Sequence, residues 1–521
     1  MNDWTNALNR LTLEEKVGQL FTFYNTGTAM SEFAATMIGE LKAGGMFLDM
    51  GSLSDPEQVH RLTSAMQDVS LRSGSGIPLF VSADFVAGTG CKLKRGGAVH
   101  FPKNKAVGAA GDVSLAYESG RVTAIESLAM GVNFNYSPVV DINNNPLNPV
   151  IGTHSFGEDR DRVSEMGTAV IRGYQDHGMI ATAKHFPGHG DTSVDSHFDL
   201  PVLPFDAERL DRFEPFRRAI EAGVDAVMVG HIAVPSLDPS LLPASLSYAM
   251  TTGILRERLG FQGLIVTDGL SMKGVTARFT QAEACVMAVK AGADILLAHA
   301  RTIEEAGPMA EAVLRAVRSG EIPMERLDAS VGRILRMKAK YGLLPETYRP
   351  LPYDPEAFDR PEHAAIALRL ARAAASPVNG FRPLAEWKPA AADGGWTFIG
   401  ERQLDRFAEL VRSAGIVKRE HTLESYEGLP TALERVAPDE PLLVSVTHNK
   451  RMDAETLRAL DKRAEARPDV PVVLVHFGSH YDMEHVPHVP ALLLYDRAPA
   501  LQEAAAERLL GREQADERKD G

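Results

Sequence analysis

Eight short apolar runs, each followed by a longer stretch of helical periodicity, constrain this chain more than any other feature. They lie at residues 20–23, 45–48, 78–84, 133–137, 180–184, 226–231, 264–267 and 295–298. Strands that alternate with helices pair in parallel, because the helix supplies the crossover back to the start of the sheet. Eight such units close a (β/α)8 barrel of TIM type. The barrel is expected over residues 1–340.

The ends of these runs carry chemistry. Asp84 ends its run, Asp141 follows Ser137 closely, and Lys184 and His185 close theirs. His231, Asp268 and His299 sit at or just after three more. Polar groups at the C-terminal ends of parallel barrel strands face the mouth where barrel enzymes work. A single one is a solvated cap; six sites in one chain point to a built site.

The helices between are ordinary. Thr12-Leu-Glu-Glu15 has capping-box form. Gly223, Gly260 and Gly292 stand between a helical pattern and the next strand, as C-cap glycines do. Residues 341–361 hold five prolines and little periodicity, and read as a linker. A second alternating region, 362–521, follows, with an Ala-rich helix near 364–375 and apolar strands at 396–399, 442–446, 472–475 and 491–494. It is expected to be a smaller α/β sandwich domain, with residues 514–521 frayed.

Composition excludes several classes. A formal net charge of −14 gives no general attraction for phosphate backbones, so nucleic acid is not an expected partner. No run of about 18 apolar residues exists, so no membrane span is expected. Residues 1–21 lack a basic start followed by an apolar stretch, so the cytoplasm is the default location. Cys91 and Cys285 make no disulfide framework and are expected as small core hydrophobes. A phosphate loop, a nucleophile elbow, a zinc-protease helix and a dinucleotide fingerprint are all missing, and no cofactor is expected. A monomer or weak dimer is the expected state.

The densest segment is Lys184-His-Phe-Pro-Gly-His-Gly-Asp-Thr-Ser-Val-Asp-Ser-His197, with three histidines, two aspartates and a lysine in 14 residues. Its glycines and proline make it a loop leaving a strand end. Asp195 and His197 are two apart, so in extended backbone they share a side. The carboxylate can then accept from one imidazole nitrogen, raise the ring's pKa and free the other nitrogen for proton exchange. An Asp–His pair that only ties the loop down is the plainer alternative. A second segment, Gly263-Leu-Ile-Val-Thr-Asp-Gly-Leu-Ser-Met272, runs a buried strand into Asp268. That carboxylate could be a nucleophile, a metal ligand, a substrate anchor or a helix N-cap. A third, Asp141-Ile-Asn-Asn-Asn-Pro-Leu-Asn-Pro149, suits hydroxyl recognition but reads more simply as a turn.

In this order and spacing the three segments resemble family 3 glycoside hydrolases, in the β-N-acetylglucosaminidase branch. Lys184-His-Phe-Pro-Gly-His-Gly-Asp191 with Asp195-Ser-His197, and Val266-Thr-Asp-Gly-Leu-Ser-Met272, carry the resemblance. Leu11-Thr-Leu-Glu-Glu-Lys-Val-Gly-Gln-Leu20, Gly230-His-Ile-Ala-Val-Pro235 and Val139-Val-Asp-Ile-Asn-Asn-Asn145 add to it. In the C-terminal region Phe477-Gly-Ser-His-Tyr-Asp482 is the main recognisable piece.

The resemblance implies a retaining exo-glycosidase that removes terminal β-linked N-acetylglucosamine from oligosaccharides or from peptidoglycan or chitin fragments. Asp268 would be the nucleophile, and His197, oriented by Asp195, the acid/base. Asp84, Lys184 and His185 would hold the sugar, with His231 and Met272 lining the pocket. The family's acidic and arginine run after the third strand is replaced by Asp84-Phe-Val-Ala-Gly-Thr-Gly-Cys91, and His154 stands where the family has an arginine. Arg95 could substitute for one arginine only through a shifted loop. These departures fall on sugar contacts and leave the reacting groups intact.

Phosphorolysis, or a β-glucosidase specificity, is the near alternative, since a histidine acid/base repels phosphate less than a carboxylate does. A zinc hydrolase using His185, His189, Asp191 and His197 would leave Asp268 unexplained. A sugar-binding protein that lost its reaction is the third class. The histidines at 476, 480, 485 and 488 read as a surface loop.

Overall fold

The computed structural model describes residues 3–203, 213–387, 395–448 and 450–512. The chain forms two compact units. One comprises Met1–Val99, Ala116–Ile151 and Ser155–His363, the other His100–Leu115, Gly152–His154 and Ala364–Gly521.

The first unit is an eight-stranded parallel barrel. Its strands are β1 (Phe21–Asn25), β2 (Gly45–Leu48), β3 (Phe80–Ala83), β4 (Phe134–Asn135), β5 (Ile180–Phe186), β6 (Ala226–Val229), β7 (Leu264–Thr267) and β8 (Leu296–Ala298). From β1 to β7 each pairs with the next in sequence, and β8 pairs with β1. A parallel bridge between Val266 and Ile295 joins the two ends. Every apolar run expected from sequence overlaps one of these strands, though β1 and β5 each run two residues further than expected. They are buried on both faces, which is why they read as continuous apolar runs.

Local signals behave as their chemistry requires. Thr12 and Glu15 make both capping-box hydrogen bonds. Gly223, Gly260 and Gly292 all have positive φ, at 79°, 69° and 121°. Cys285 is buried, but Cys91 sits only half-buried in a 3-10 turn, so it is not the core residue expected. Residues 341–360 run between the helices Met324–Lys340 and Pro361–Ala374 as short turns, one of them the 3-10 turn Pro355–Ala357. They are fastened to the barrel: the His60 ring meets the Leu351 carbonyl at 2.9 Å and the Asp359 N–H donates to Gly97 at 2.9 Å.

The second unit holds a six-stranded mixed sheet. Its strands are β9 (Ser376–Val378), β10 (Trp396–Glu401), β11 (Val417–Leu423), β12 (Leu442–Thr447), β13 (Val472–Phe477) and β14 (Ala491–Leu493). The order is β11-β10-β12-β13-β14-β9, with only β9 antiparallel. Sequence patterning identifies the four interior strands and misses both edges. β11 is Val-Lys-Arg-Glu-His-Thr-Leu, largely exposed, and β9 is three residues around a proline. Edge strands carry charge and proline because they do not bury both faces.

The four C-terminal histidines do not converge. His476 is buried against Asp482 at 3.0 Å, contrary to the surface position expected of it. His488 pairs with Asp461 at 3.0 Å, and His485 lies beside Glu484 and Arg451. Residues 514–521 lie outside the described residues. No described helix is long and apolar enough to cross a membrane.

Candidate active site

The site is built where the barrel strands end. The Asp268 N–H donates to the Val229 carbonyl at 3.0 Å, which seats this residue at the last rung between β7 and β6. Its Oδ1 accepts from the Gly269 N–H at 2.8 Å, and the side chain stays partly open. Burial alone would raise its pKa. The nearby His185 ring, the Gly269 N–H and the Lys184 ammonium outweigh that and hold the carboxyl below the ordinary aspartate value. Asp268 is therefore an anion at neutral pH, as attack on an electrophilic carbon requires.

β5 delivers two neighbours of opposite destination. The Lys184 ammonium meets Asp84, at the end of β3, at 2.6 Å. The ammonium is almost buried while the carboxylate remains about a third exposed. His185 places Nδ1 at 2.8 Å from Asp141 Oδ2, and its N–H donates to Oδ1 at 3.1 Å. Asp141 also accepts from the His189 N–H at 2.8 Å. Burial would raise the Asp141 carboxyl, but His185 and His189 more than reverse that. An ionised Asp141 makes Nδ1 of His185 the protonated nitrogen and leaves Nε2 to the site. The peptide bond between Lys184 and His185 is cis.

The loop after β5 carries the Asp–His pair. His197 Nδ1 lies 2.8 Å from Asp195 Oδ1, which also accepts the His197 N–H at 2.9 Å. The His197 side chain is 61% exposed and the Asp195 side chain 15%, so the acceptor is fixed while the ring reaches outward. Behind them His189 is buried, with Nδ1 against Thr192 Oγ1 at 2.6 Å and Nε2 against Ser196 Oγ at 3.0 Å. Asn148 Nδ2 donates to the carbonyls of His189 and Thr192 at 2.8 and 2.9 Å. The asparagine-rich segment thus braces the loop, beyond the simple turn its composition suggested.

Four more expected residues have the following surroundings. His231 does not line the pocket. It is fully buried, and both ring nitrogens are engaged: Nε2 with the Gly269 carbonyl at 2.9 Å and Nδ1 with Ser245 Oγ at 2.7 Å. Burial pushes its pKa down, so the ring is neutral, donating from Nε2 and accepting from the Ser245 hydroxyl. Met272 caps the short helix Lys273–Thr276, and its N–H donates to the Gly269 carbonyl at 3.0 Å. Arg95 does not stand in for a missing arginine. It is exposed and paired with Asp55, the N-cap of the helix Pro56–Arg72, at 3.0 Å. His154 belongs to the turn Gly152–His154, which groups with the second unit, and its carbonyl accepts from Asn104 Nδ2 at 2.8 Å.

A zinc site has no convergent ligand set. His189 commits both nitrogens to hydroxyls, and among the described residues no three His, Cys, Asp or Glu side chains gather as ligands. Sequence reasoning also passed over Asp141 as a positioning group and Tyr24 on β1 altogether. Asp141 was visible as a strand-end carboxylate. Tyr24 gave no signal, since an aromatic residue in a strand is ordinary core composition.

The sequence matches the Glycosyl hydrolase family 3 N terminal domain over residues 12–337. It is 32% identical over 383 residues to Beta-hexosaminidase A of Pseudoalteromonas piscicida, covering 68% of this chain and 63% of that protein. The chain thus spans less than two thirds of that relative's length. The fold is similar to that of a glycoside hydrolase family 3 β-N-acetylglucosaminidase from Paenibacillus sp. str. FPU-7, with a TM-score of 0.86, 33% identity and 97% coverage of both chains. It is also similar to a β-glucoside phosphorylase, with a TM-score of 0.83 and 26% identity over 98% of this chain and 94% of that one.

Proposed function

Because the chain belongs to glycoside hydrolase family 3, we propose that it is a retaining, exo-acting β-N-acetylglucosaminidase. Its substrate is a terminal, non-reducing β-linked N-acetylglucosamine on an oligosaccharide or a peptidoglycan or chitin fragment. Asp268 attacks the anomeric carbon as the bond to the leaving oxygen breaks. His197 gives that oxygen its proton, and a glycosyl ester forms on Asp268. In the second step His197 takes a proton from water, the water oxygen bonds to the anomeric carbon, and Asp268 leaves as a carboxylate. Asp195 keeps the proton-exchanging nitrogen of His197 facing outward and stabilises the imidazolium. Asp84, Lys184 and His185 hold the ring hydroxyls, and Met272 borders the sugar.

The observation that carries this reading is the preformed His197–Asp195 hydrogen bond at 2.8 Å, on a loop of the same unit that holds the ionised Asp268. Acid/base and nucleophile therefore come from the barrel unit, as in the amino-sugar branch that the loop motif resembles.

Phosphorolysis is the second reading. It is favoured by the imidazole acid/base, which repels an incoming phosphate less than a carboxylate would, and by the similarity to a β-glucoside phosphorylase. The test is release of 4-nitrophenol from the β-N-acetylglucosaminide and the β-glucoside, each with and without phosphate, beside Asp268→Ala. Turnover of the amino sugar alone, lost in the variant, supports the hydrolase. Phosphate-dependent turnover replaces it with the phosphorylase. Silence on both sugars rejects both readings and leaves glycan binding to be screened.

A further inference from the structure

Tyr24 lies near the mouth end of β1, two residues after Thr22 and therefore on the same face of the strand. The edges of the Phe47 and His299 rings hold its ring from two sides, with centroids at 4.8 and 5.0 Å. Its hydroxyl stands directly over the residue that follows the nucleophile: a Cβ added to Gly269 would lie 3.0 Å from that oxygen. Among the described residues the hydroxyl has no hydrogen-bond partner, and it is not sealed from solvent. Burial, with the charges of Asp268 and Asp84 nearby, pushes the phenol well above its ordinary value. It is a neutral donor with no partner among the described residues, close enough to both Asp268 and Asp84 to feel their charges.

The chemistry at Asp268 narrows what that donor can meet. A group beside an attacking carboxylate reaches the two neighbours of the anomeric carbon, the ring oxygen and the substituent on C2. The ring oxygen gives up electron density in the oxocarbenium-like transition state and becomes a poor acceptor. The C2 substituent does not. Resting on the glycosidase reading above, we propose that Tyr24 is a specificity-determining residue whose hydroxyl donates a hydrogen bond to the C2 substituent of the sugar attacked by Asp268. In an N-acetyl sugar the acceptor is the acetamide carbonyl, which accepts more strongly than a 2-hydroxyl.

The test compares wild type and Tyr24→Phe on three 4-nitrophenyl β-glycosides: the N-acetylglucosaminide, the glucoside and the 2-deoxyglucoside. Loss of one neutral hydrogen bond should lower kcat/KM on the N-acetyl sugar by about five- to tenfold, less on the glucoside, and leave the 2-deoxy sugar unchanged. An unchanged melting temperature excludes misfolding. Equal losses on all three sugars, or none on any, would overturn the proposal. Wild-type silence on all three would remove the glycosidase reading and the proposal with it.

Discussion

The main-chain N–H of Gly274 donates to the Ser196 carbonyl over 3.0 Å, tying the loop that bears Asp195 and His197 to the segment leaving Asp268. Ser196 is buried, and its hydroxyl meets His189 Nε2, so the residue between Asp195 and His197 is held from two directions. An exposed imidazole thus stands on a fixed base, which is how a solvent-facing ring can still be held in register with Asp268.

Gly274 permits that approach. A Cβ there would lie 3.1 Å from His231 Cβ and 3.3 Å from the Ser196 oxygen. Gly274→Val should lift the loop and lower kcat by roughly 10- to 100-fold, the scale of a misplacement of about 1 Å. KM should change little. Steady-state kinetics beside a melting curve would check this, and an unchanged kcat would show that the tether has no catalytic consequence.

Asp195→Asn replaces an anionic acceptor with an amide that can present either end to the ring. The outward tautomer of His197 is then no longer enforced, and the imidazolium loses its counter-charge. Turnover of alkyl glycosides, which need protonation of the leaving group, should fall by about 10²–10⁴-fold. Activated aryl glycosides should suffer much less. A plot of rate against leaving-group pKa would steepen in the variant if the assignment is right.

His231→Phe fills a similar space but leaves the Gly269 carbonyl and the Ser245 hydroxyl without their partner. An unmade buried hydrogen bond costs about 1–3 kcal/mol. The melting temperature should fall, and kcat should fall with it, because Gly269 carries the N–H that holds Asp268. Normal kcat in a destabilised variant would separate the structural role from the positioning role.

Lys338 makes stability depend on alkaline pH. Its side chain is fully buried, donating to Gln19 Oε1 at 2.8 Å and to the Gly44 carbonyl at 3.0 Å. Burial pushes its pKa from 10.5 down to about 7. Between those values the unfolded chain holds a proton that the folded chain has shed. Stability from this group therefore rises with pH across the window and is lost as pH falls through about 7. The slope limit for one proton is about 1.4 kcal/mol per pH unit. Denaturant unfolding of wild type and Lys338→Met at pH 7, 8 and 9 should show the difference shifting steadily toward the wild type. A pH-independent difference would mean that the two acceptors keep the ammonium charged.

Much of the barrel was legible because its strands are short, apolar on both faces and bounded by polar residues. The same property hid β9 and β11, which lie at sheet edges and have no need of an apolar run. Asp84, Lys184, His185, Asp195, His197 and Asp268 were legible as polar residues where apolar strands stop, or within the loop that follows one. His231 was legible as a strand-end histidine but not as a buried one, because burial depends on the packing of Gly269 and Ser245 around it. Tyr24 was illegible for the complementary reason: its meaning comes from Gly269, just beyond a strand 240 residues further along the chain.

Periodicity and short motifs alone determined most of the strands, where they end and which titratable groups stand there as candidates for proton exchange or attack on carbon. Those are local properties, set by side-chain volume, turn chemistry and pKa. Only the tertiary structure decided the partners: Lys184 with Asp84 across 100 residues, His185 with Asp141 across 44, and Gly274 with Ser196. Barrel closure brings distant strand ends to one rim, and the charges meeting there fix which carboxylate is ionised and which imidazole nitrogen faces the substrate.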